Sequence, residues 1–234
     1  MGSEHTVAVF GAYGHTGRFV VAQLRDRGLL PVLSGRDPDK LQALAASHLG
    51  LDARPASIGD PASLDRALAD AAAVINCAGP FATTAAPVIE AALRAGIPYV
   101  DVAAEIEANV DTFAHFTDRA RAAGAVIVPA MAFYGGLGDL LATATMGDWT
   151  AADEAHIAYG LSSWHPTAGT RTAGAVSRRR RDGQRVRYTN GKLEYRNDDP
   201  PPWNGAFPNR SAPVPSSGSS RWPTSSPSQP PVHP

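Results

Sequence analysis

The sequence predicts an α/β fold, a doubly wound parallel sheet covered by helices, over residues 1–130. Two observations support this prediction. Short runs that are apolar on both faces alternate with amphipathic helical stretches, as in a parallel sheet with helices on both sides. A glycine-rich turn at residues 11–17 also joins the first apolar run to the first helical stretch.

Six strands and five helices alternate in this region. Glycine readily adopts the left-handed conformation that ends a helix, so Gly28, Gly96 and Gly124 mark the ends of the first, fourth and fifth helices. Asp37, followed by Pro38, is a typical N-cap for the second helix. The predicted strands are 6–11, 31–36, 52–58, 72–79, 97–102 and 125–130, and the predicted helices are 17–28, 37–47, 61–70, 83–96 and 109–124.

The pattern changes after Ala130. A glycine-rich loop and a helix are predicted at residues 131–147, a strand at 154–162 and the start of another helix at 169–176. Asn190-Gly191 lies between two β-like arms and predicts a hairpin with a type I′ turn. We therefore predict an incomplete antiparallel α+β domain, for substrate binding or dimerisation, over residues 131–196.

Residues 197–234 contain 11 prolines and 8 serines among 38 residues, with no periodic apolar face. Such a segment cannot bury enough apolar surface to offset its ordering entropy, so we predict a disordered tail. Residues 171–196 carry nine basic and two acidic side chains. This block is either a phosphate-binding patch or, as we favour, a solvated loop and edge strand.

Composition excludes several classes of protein. The net charge of -1 and the 44% hydrophobic content are unlike those of a nucleic-acid-binding protein. No apolar run approaches the roughly 18 residues that a membrane helix needs. The one cysteine, Cys77, excludes an internal disulfide and a Cys-based zinc site. The N-terminus lacks the features of a signal peptide, so we expect a cytoplasmic protein.

The glycine turn has the spacing G-x-x-G-x-x-G. In a βαβ unit, Gly11 allows the tight turn, Gly14 allows a pyrophosphate to approach the backbone, and Gly17 allows the helix to pack closely. The free N–H groups at the helix N-terminus attract an anion, and Thr16 adds a hydroxyl. The alternative is a purely structural join. The βαβ context favours a dinucleotide site, and hence a sheet of the Rossmann type.

The end of the second strand indicates which dinucleotide binds. An NAD site usually has an acidic residue here to bind the ribose hydroxyls, whereas this sequence has Ser34 and Arg36. A guanidinium suits a 2′-phosphate, because it donates charge-assisted hydrogen bonds. We therefore predict NADP(H). The alternative is that Arg36 is a surface residue and that Asp37, one residue later, binds NAD.

The fourth strand ends in the sequence VINCAGPF. Small residues at Ala78 and Gly79, with a polar Asn76, suit close passage of the nicotinamide end of a dinucleotide. Cys77 is a candidate nucleophile, but a catalytic thiol needs an activating histidine or charge, and none is near in the sequence. We favour a packed small residue at this position.

Five segments resemble, in their order and spacing, the saccharopine dehydrogenase-like NADP-binding family, which includes saccharopine reductases and bacterial trans-acting enoyl reductases. They are GAYGHTGR, SGRDPDKL, VINCAGPF, GIPYVDVAAE and PAMAFYGGLGDLLA. The resemblance covers residues 5–175 and implies an NADP(H)-binding Rossmann domain followed by an antiparallel domain that closes over substrate. Family members are longer than this chain, so we expect a truncated or frameshifted product.

The resemblance assigns three groups of cofactor contacts. It implies that the glycine turn binds the pyrophosphate, the end of the second strand binds the adenosine ribose phosphate, and the end of the fourth strand flanks the nicotinamide. Together with neighbouring positions of the same segments, the expected cofactor-binding residues are Gly11, Ala12, Tyr13, Gly14, His15, Thr16, Gly17, Ser34, Arg36, Cys77, Ala78, Gly79 and Pro80.

Hydride transfer needs an oriented substrate and a proton donor or acceptor. Asp101 and Glu105 flank the carboxyl end of the fifth strand, where ligands bind in open α/β sheets. Tyr134 and Asp139 follow the sixth strand. Asp101, Glu105 and Tyr134 are thus candidates, although no catalytic residue is identified. Helix capping or loop hydrogen bonding is an equally good explanation for Asp101 and Asp139.

Other features of the sequence do not support a catalytic role. Trp164 and His165 are candidates for lining a pocket, but a lone loop histidine is usually surface. Tyr188 and Lys192 have the Y-x-x-x-K spacing of short-chain dehydrogenases, in which the pair shares a helix face. The predicted hairpin instead pairs Tyr188 with Leu193, which points Tyr188 and Lys192 to opposite faces. No metal-binding motif is present, and we expect no metal.

The leading hypothesis is an NADP(H)-dependent oxidoreductase of the saccharopine dehydrogenase-like type, acting on a small carbonyl, imine or enoyl substrate. The alternative is a non-catalytic NADP-binding regulator or sensor of the NmrA type. The lack of an identified catalytic pair favours the regulator, and the later motifs favour the enzyme. The expected partners are a small-molecule substrate and a second copy in a homodimer; nucleic acid and a membrane span are not expected.

Overall fold

A computed structural model describes residues 5–48, 50–152, 165–189, 192–198, 204–205 and 214–215, with the single residues 155, 157, 159 and 161. The chain divides into two compact units. The first comprises residues 1–157 and 163–180, and the second comprises residues 158–162 and 181–234.

The first unit is built on a parallel sheet that has six strands within the described residues, in the order β3-β2-β1-β4-β5-β6. The order reverses between β1 and β4, which opens a crevice at the carboxyl ends of these strands. The predicted Rossmann-type doubly wound sheet is thus confirmed. The strands are β1 Thr6–Phe10, β2 Leu30–Gly35, β3 Ala53–Pro55, β4 Ala73–Asn76, β5 Tyr99–Asp101 and β6 Ile127–Val128.

The helices begin and end close to the predicted signals. Gly28, Gly96 and Gly124 have positive φ just after helices end, and Asp37 caps the second helix by accepting the Lys40 N–H at 3.1 Å. The helices are α1 His15–Asp26, α2 Pro38–Ala46, α3 Pro61–Leu68, α4 Phe81–Ala95, α5 Ile106–Ala123, α6 Gly136–Met146 and α7 Ala168–Arg180.

An apolar core lies on each face of the sheet, because adjacent residues of one strand point to opposite sides. Val32 of β2 belongs to the core that α3, α4 and α5 cover, whereas Leu33 belongs to the core that α1 and α2 cover. This explains why the strands are apolar at consecutive positions. It also fixes which side chains reach the carboxyl edge of each face.

Two of the differences from the predicted bounds have a clear physical reason. The helix predicted at 169–176 continues to Arg180, so the prediction of a loop and edge strand was wrong for residues 178–180. Positive charge in a last helical turn is favourable, and Arg180 pairs with Asp111 of α5 at 2.7 Å. Strand β6 is shorter than predicted, because Pro129 has no N–H and Ala130 has φ +60.

In the second unit, β7 (Arg185–Thr189) and β8 (Lys192–Arg196) form the predicted antiparallel hairpin, with Tyr188 opposite Leu193. Tyr188 and Lys192 therefore do not share a face. Residues 204–205 (β9) and 214–215 (β10) pair antiparallel. Asn190-Gly191, Trp164, most of the strand predicted at 154–162 and most of the predicted disordered tail lie outside the described residues. The domain boundaries at 130 and 196 stay predictions.

Candidate dinucleotide-binding site

Backbone hydrogen bonds fix the glycine turn between β1 and α1. The N–H groups of Gly11 and Ala12 both donate to the Ser34 carbonyl at the end of β2, at 2.8 and 3.1 Å. The Gly14 N–H donates to the Gly11 carbonyl at 3.0 Å. No side chain takes part in these bonds, so backbone hydrogen bonds hold the turn against the end of β2.

Close packing explains why glycine occupies the first and last positions of the turn. Gly11 has φ +85, and a Cβ there would lie 2.9 Å from the Ala78 Cβ. A Cβ at Gly17 would lie 2.2 Å from the Gly11 carbonyl oxygen. At Gly14 the same test gives 3.1 Å to that oxygen, so a side chain there would require a shift. The turn therefore has no room for larger residues at Gly11 or Gly17.

The N-terminus of α1 is available to an anion. Its N-cap, Gly14, has no capping side chain, and the first turn contains no acidic residue. The N–H groups of a first helical turn have no carbonyl one turn earlier, and the helix dipole adds positive charge. His15 and Thr16 at this end are exposed. The arrangement fits a pyrophosphate.

Arg36 and Asp37 follow β2 but differ in what they contact. Arg36 is exposed and forms no hydrogen bond or ion pair within the described residues. Asp37 caps α2, and its second carboxylate oxygen lies 2.7 Å from the Lys40 Nζ. The hydrogen bonds from Lys40 lower the pKa of Asp37. The free cation and the engaged carboxylate support binding of a 2′-phosphate over binding of ribose hydroxyls alone.

Ser34 contributes to the site through its backbone carbonyl. It is fully buried, and its hydroxyl has no hydrogen-bond partner within the described residues. Its carbonyl, in contrast, accepts both N–H groups of the turn. The structure thus gives the backbone of Ser34 a role in holding the turn, and the expected contact between its side chain and the cofactor stays a prediction.

The loop after β4 is held by a buried side chain. Asn76 accepts the Ala78 N–H at 3.0 Å and donates to the Tyr99 hydroxyl at 3.2 Å. The Thr84 hydroxyl donates to the Ala78 carbonyl. Ala78 in turn touches the glycine turn at Gly11. The predicted pyrophosphate and nicotinamide segments are therefore packed directly against each other.

Cys77 is a packed residue. Its N–H donates to the Phe10 carbonyl at 2.8 Å, and it packs against the core of the α1 and α2 face. Burial raises the pKa of the Cys77 thiol to about 12. A thiol with this pKa stays protonated at neutral pH, which supports the structural alternative over a nucleophile.

Asp101, at the end of β5, is fully engaged. One carboxylate oxygen accepts the N–H groups of Ala103 and Ala130, at 2.9 and 2.8 Å. The other accepts the Tyr99 hydroxyl at 2.7 Å. Burial raises the pKa of Tyr99. Because Asp101 is 1% exposed, its contacts support the loop-bonding alternative over a direct role in proton transfer.

Glu105, at the start of α5, forms hydrogen bonds that hold the start of α4 in place. Its carboxylate accepts the N–H groups of Phe81 and Ala82, at 2.7 and 3.0 Å, and the side chain is buried. Burial raises the pKa of Glu105, against the opposing effect of these two donors. Glu105 thus fixes the end of the 78–80 loop and presents no free oxygen to a substrate.

Tyr134 is the exposed member of the three catalytic candidates. Its side chain is 48% exposed, and its ring packs edge-on against Phe133 with centroids 5.1 Å apart. The loop that carries it starts at the sheet edge, where the Met131 N–H donates to the Asp101 carbonyl at 2.8 Å. Asp139 and His165 are exposed, in α6 and in the segment before α7.

Three residues of the site were missed by sequence reasoning. Tyr99 and Thr84 complete the buried network around Asn76, and Lys40 lies beside Asp37. Lys40 had a signal, since a basic residue three positions after an N-cap aspartate is placed to pair with it. Tyr99 and Thr84 had none, because their partners are distant in sequence.

These features together define a dinucleotide-binding domain of the Rossmann type. Its sequence matches the family described as "Saccharopine dehydrogenase NADP binding domain" over residues 7–128, and the chain belongs to that family. The resemblance seen in the sequence motifs is confirmed, and the cofactor is NADP(H).

The curated proteins that are similar to this chain match it over only part of their length. The chain is 31% identical over 148 residues to an Arabidopsis thaliana protein named "Probable mitochondrial saccharopine dehydrogenase-like oxidoreductase", covering 55% of this chain and 32% of that protein. It is 30% identical over 145 residues to the Mus musculus "Saccharopine dehydrogenase-like oxidoreductase", covering 54% and 34%. The chain thus spans about a third of the length of these curated relatives.

Among solved structures, the apo saccharopine dehydrogenase (L-Glu forming) of Saccharomyces cerevisiae shares the fold. The TM-score is 0.51 at 22% identity, over 61% of this chain and 30% of that one. No helix in the described part of the chain is long and apolar enough to cross a membrane. The name of the Arabidopsis relative contains the word mitochondrial, so the cytoplasmic location of this chain stays a prediction. The homodimer also stays a prediction.

Proposed function

We propose that this chain forms the NADP(H)-binding part of an oxidoreductase that transfers hydride to or from a small carbonyl, imine or enoyl substrate. The observation that carries the proposal is the pairing of an open α1 N-terminus with the free cation Arg36 at the adjacent strand end. The names of the relatives support an oxidoreductase more than a non-catalytic regulator.

Each segment of the site has a role in this proposal. The N–H groups at the start of α1 bind the pyrophosphate, Arg36 binds the 2′-phosphate, and the backbone of Ala78 and Gly79 flanks the nicotinamide. NADP(H) supplies or accepts the hydride when it is bound. Asp101 and Glu105 contribute indirectly, because their hydrogen bonds fix the loops that border the reacting atoms.

Tyr134 is the proposed proton donor to the oxygen, nitrogen or carbon that gains a proton when the substrate is reduced. Its side chain is exposed on the loop that follows the sheet edge, whereas Asp101 and Glu105 are buried. A positioned acid typically contributes about 10²–10⁴-fold to the rate. We therefore expect Tyr134→Phe to lower kcat by at least about 100-fold with unchanged NADPH affinity.

The test is turnover by the full chain. NADPH carrying deuterium at C4 is incubated with a panel of carbonyl, imine and enoyl compounds, and the products are analysed for deuterium by mass spectrometry. Deuterium in a product is expected. NADPH binding without transfer to any panel member would overturn the enzyme and support the regulator. Normal turnover by Tyr134→Phe would remove Tyr134 from the mechanism while leaving hydride transfer in place.

A further inference from the structure

A second cation, Lys40, follows Arg36 by four residues in the sequence. Lys40, in the first turn of α2, places its Nζ 2.7 Å from the Asp37 carboxylate. The same ammonium lies 5.7 Å from the centroid of the Tyr13 ring. Tyr13 belongs to the glycine turn, so Lys40 connects the proposed pyrophosphate segment with the proposed 2′-phosphate segment.

Gly35 explains why the Tyr13 ring occupies this position. A Cβ at Gly35 would lie 2.8 Å from Tyr13 Cε1 and 3.5 Å from its hydroxyl oxygen. The ring therefore lies flush against the backbone at the end of β2, where any larger residue would displace it. From there it supports the Lys40 ammonium from one side while Asp37 contacts it from another.

Residues 36–40 carry two cations, Arg36 and Lys40, and two carboxylates, Asp37 and Asp39. Asp37 is engaged as the N-cap of α2 and with Lys40, whereas Asp39 is exposed in the first helical turn. The hydrogen bond to Asp37 raises the pKa of Lys40. A phosphate dianion that contacts both Arg36 and Lys40 would accept charge-assisted hydrogen bonds from each of them.

We propose that Lys40 is the second cation of the 2′-phosphate site and a determinant of NADP(H) over NAD(H), with Tyr13 as the residue that positions it and Asp37 as the carboxylate that competes with the phosphate for it. The inference rests on the binding of NADP(H) by this chain and deepens the proposed role of Arg36. It requires no catalytic step. NADH lacks the 2′-phosphate, so Lys40 has nothing to bind at the ribose of NADH.

The test measures the Kd of NADPH and of NADH for the full chain by fluorescence titration, with Lys40→Met, Arg36→Ala and Arg27→Met. Lys40→Met is expected to weaken NADPH about tenfold and to change NADH by less than about twofold. Arg27→Met is the matched control. It removes one exposed positive charge from the other end of α1, about 18 Å along a 12-residue helix, and is expected to change neither Kd.

The outcomes separate this inference from the proposed function. If Arg36→Ala weakens NADPH selectively and Lys40→Met does not, the phosphate site stands and Lys40 has no part in it. If both variants weaken NADPH and NADH equally, the 2′-phosphate has been placed at the wrong end of the sheet and both assignments fail. Binding of adenosine 2′,5′-bisphosphate, compared with adenosine 5′-monophosphate, gives the same readout without the nicotinamide.

Further variants test the roles of Tyr13 and Asp37. Tyr13→Ala removes the ring and is expected to lose about threefold in NADPH affinity, with a smaller change for NADH. Asp37→Asn keeps an N-cap residue and frees the Lys40 ammonium, so NADPH is expected to bind about threefold more tightly. Asp39→Asn removes an equal charge from the same turn. An equal gain from both would contradict a specific role for the Asp37–Lys40 pair.

Discussion

The carboxyl edge of the sheet is built in two different ways. At the ends of β1 and β2, the backbone fixes the turn, and the cations Arg36 and Lys40 remain exposed. At the ends of β4 and β5, the polar side chains of Asn76 and Asp101 are buried. Both form hydrogen bonds with the Tyr99 hydroxyl and with backbone N–H groups. Groups that bind a charged ligand must be accessible to it, whereas buried groups that hold loops must have their hydrogen bonds satisfied.

The strongest test of this contrast changes the backbone-built region. Gly17→Val would place a Cβ 2.2 Å from the Gly11 carbonyl oxygen and 2.8 Å from the Ala12 oxygen, both of them backbone atoms that cannot rotate away. The turn must therefore open, and we expect NADPH affinity to fall at least about 100-fold. Fluorescence titration with NADPH measures this, with circular dichroism to show that the chain remains folded.

Gly28→Ala is the matched control for that substitution. Gly28 has φ +76, but nothing lies within 4 Å of the added Cβ. The variant should lose about 1 kcal/mol of stability through backbone strain and bind NADPH normally. If Gly17→Val and Gly28→Ala bound NADPH alike, the packing of the turn would not be what creates the site.

The second prediction concerns the ends of β4 and β5. Asp101→Ala leaves the Tyr99 hydroxyl and two N–H groups without their acceptor in a buried place. The expected loss in the free energy of unfolding is about 3–5 kcal/mol, measured by urea denaturation. Arg36→Ala, at the exposed end of β2, is expected to leave that free energy unchanged. If Asp101→Ala and Arg36→Ala were equally stable, the proposed difference between the two regions would be wrong.

Sequence reasoning reached the first region better than the second, for a physical reason. The turn and Arg36 depend on contacts between near neighbours and on one adjacent strand, which glycine spacing and strand order predict. Asp101 binds the N–H of Ala130, and Glu105 binds that of Phe81, across separations of 29 and 24 residues. No local pattern encodes these partners, so the sequence placed both carboxylates correctly at the edge without revealing that they are engaged.

The third prediction uses pH to examine Glu105. Burial raises the pKa of Glu105 in the folded chain, so its ionisation penalises the folded state more than the unfolded state. The free energy of unfolding, relative to Glu105→Gln, is therefore expected to fall as the pH rises above the unfolded value of about 4.3 and to level off above the folded pKa. Urea denaturation between about pH 4 and pH 7.5 measures this difference.

Glu90 provides the control with the opposite sign. Its carboxylate pairs with Arg119 at 2.6 Å, and the hydrogen bond from Arg119 lowers its pKa. The stability relative to Glu90→Gln is therefore expected to be present above the unfolded pKa and to decrease as the pH falls through the folded pKa. Slopes of the same sign for Glu105 and Glu90 would show that Glu105 is more hydrated than its burial implies.

The smallest expected effect is at Cys77, which lies between the two regions at the end of β4. The raised pKa of its thiol, about 12, leaves almost no thiolate at pH 8. Iodoacetamide is therefore expected to label the folded chain far more slowly than the chain in urea, and Cys77→Ala is expected to leave NADPH affinity within about twofold. Fast labelling of the folded chain, with loss of turnover, would instead make Cys77 a reactive group that borders the cofactor. The network around Asn76 would then hold a chemically active loop, and the edge of the sheet could no longer be divided into a binding half and a positioning half.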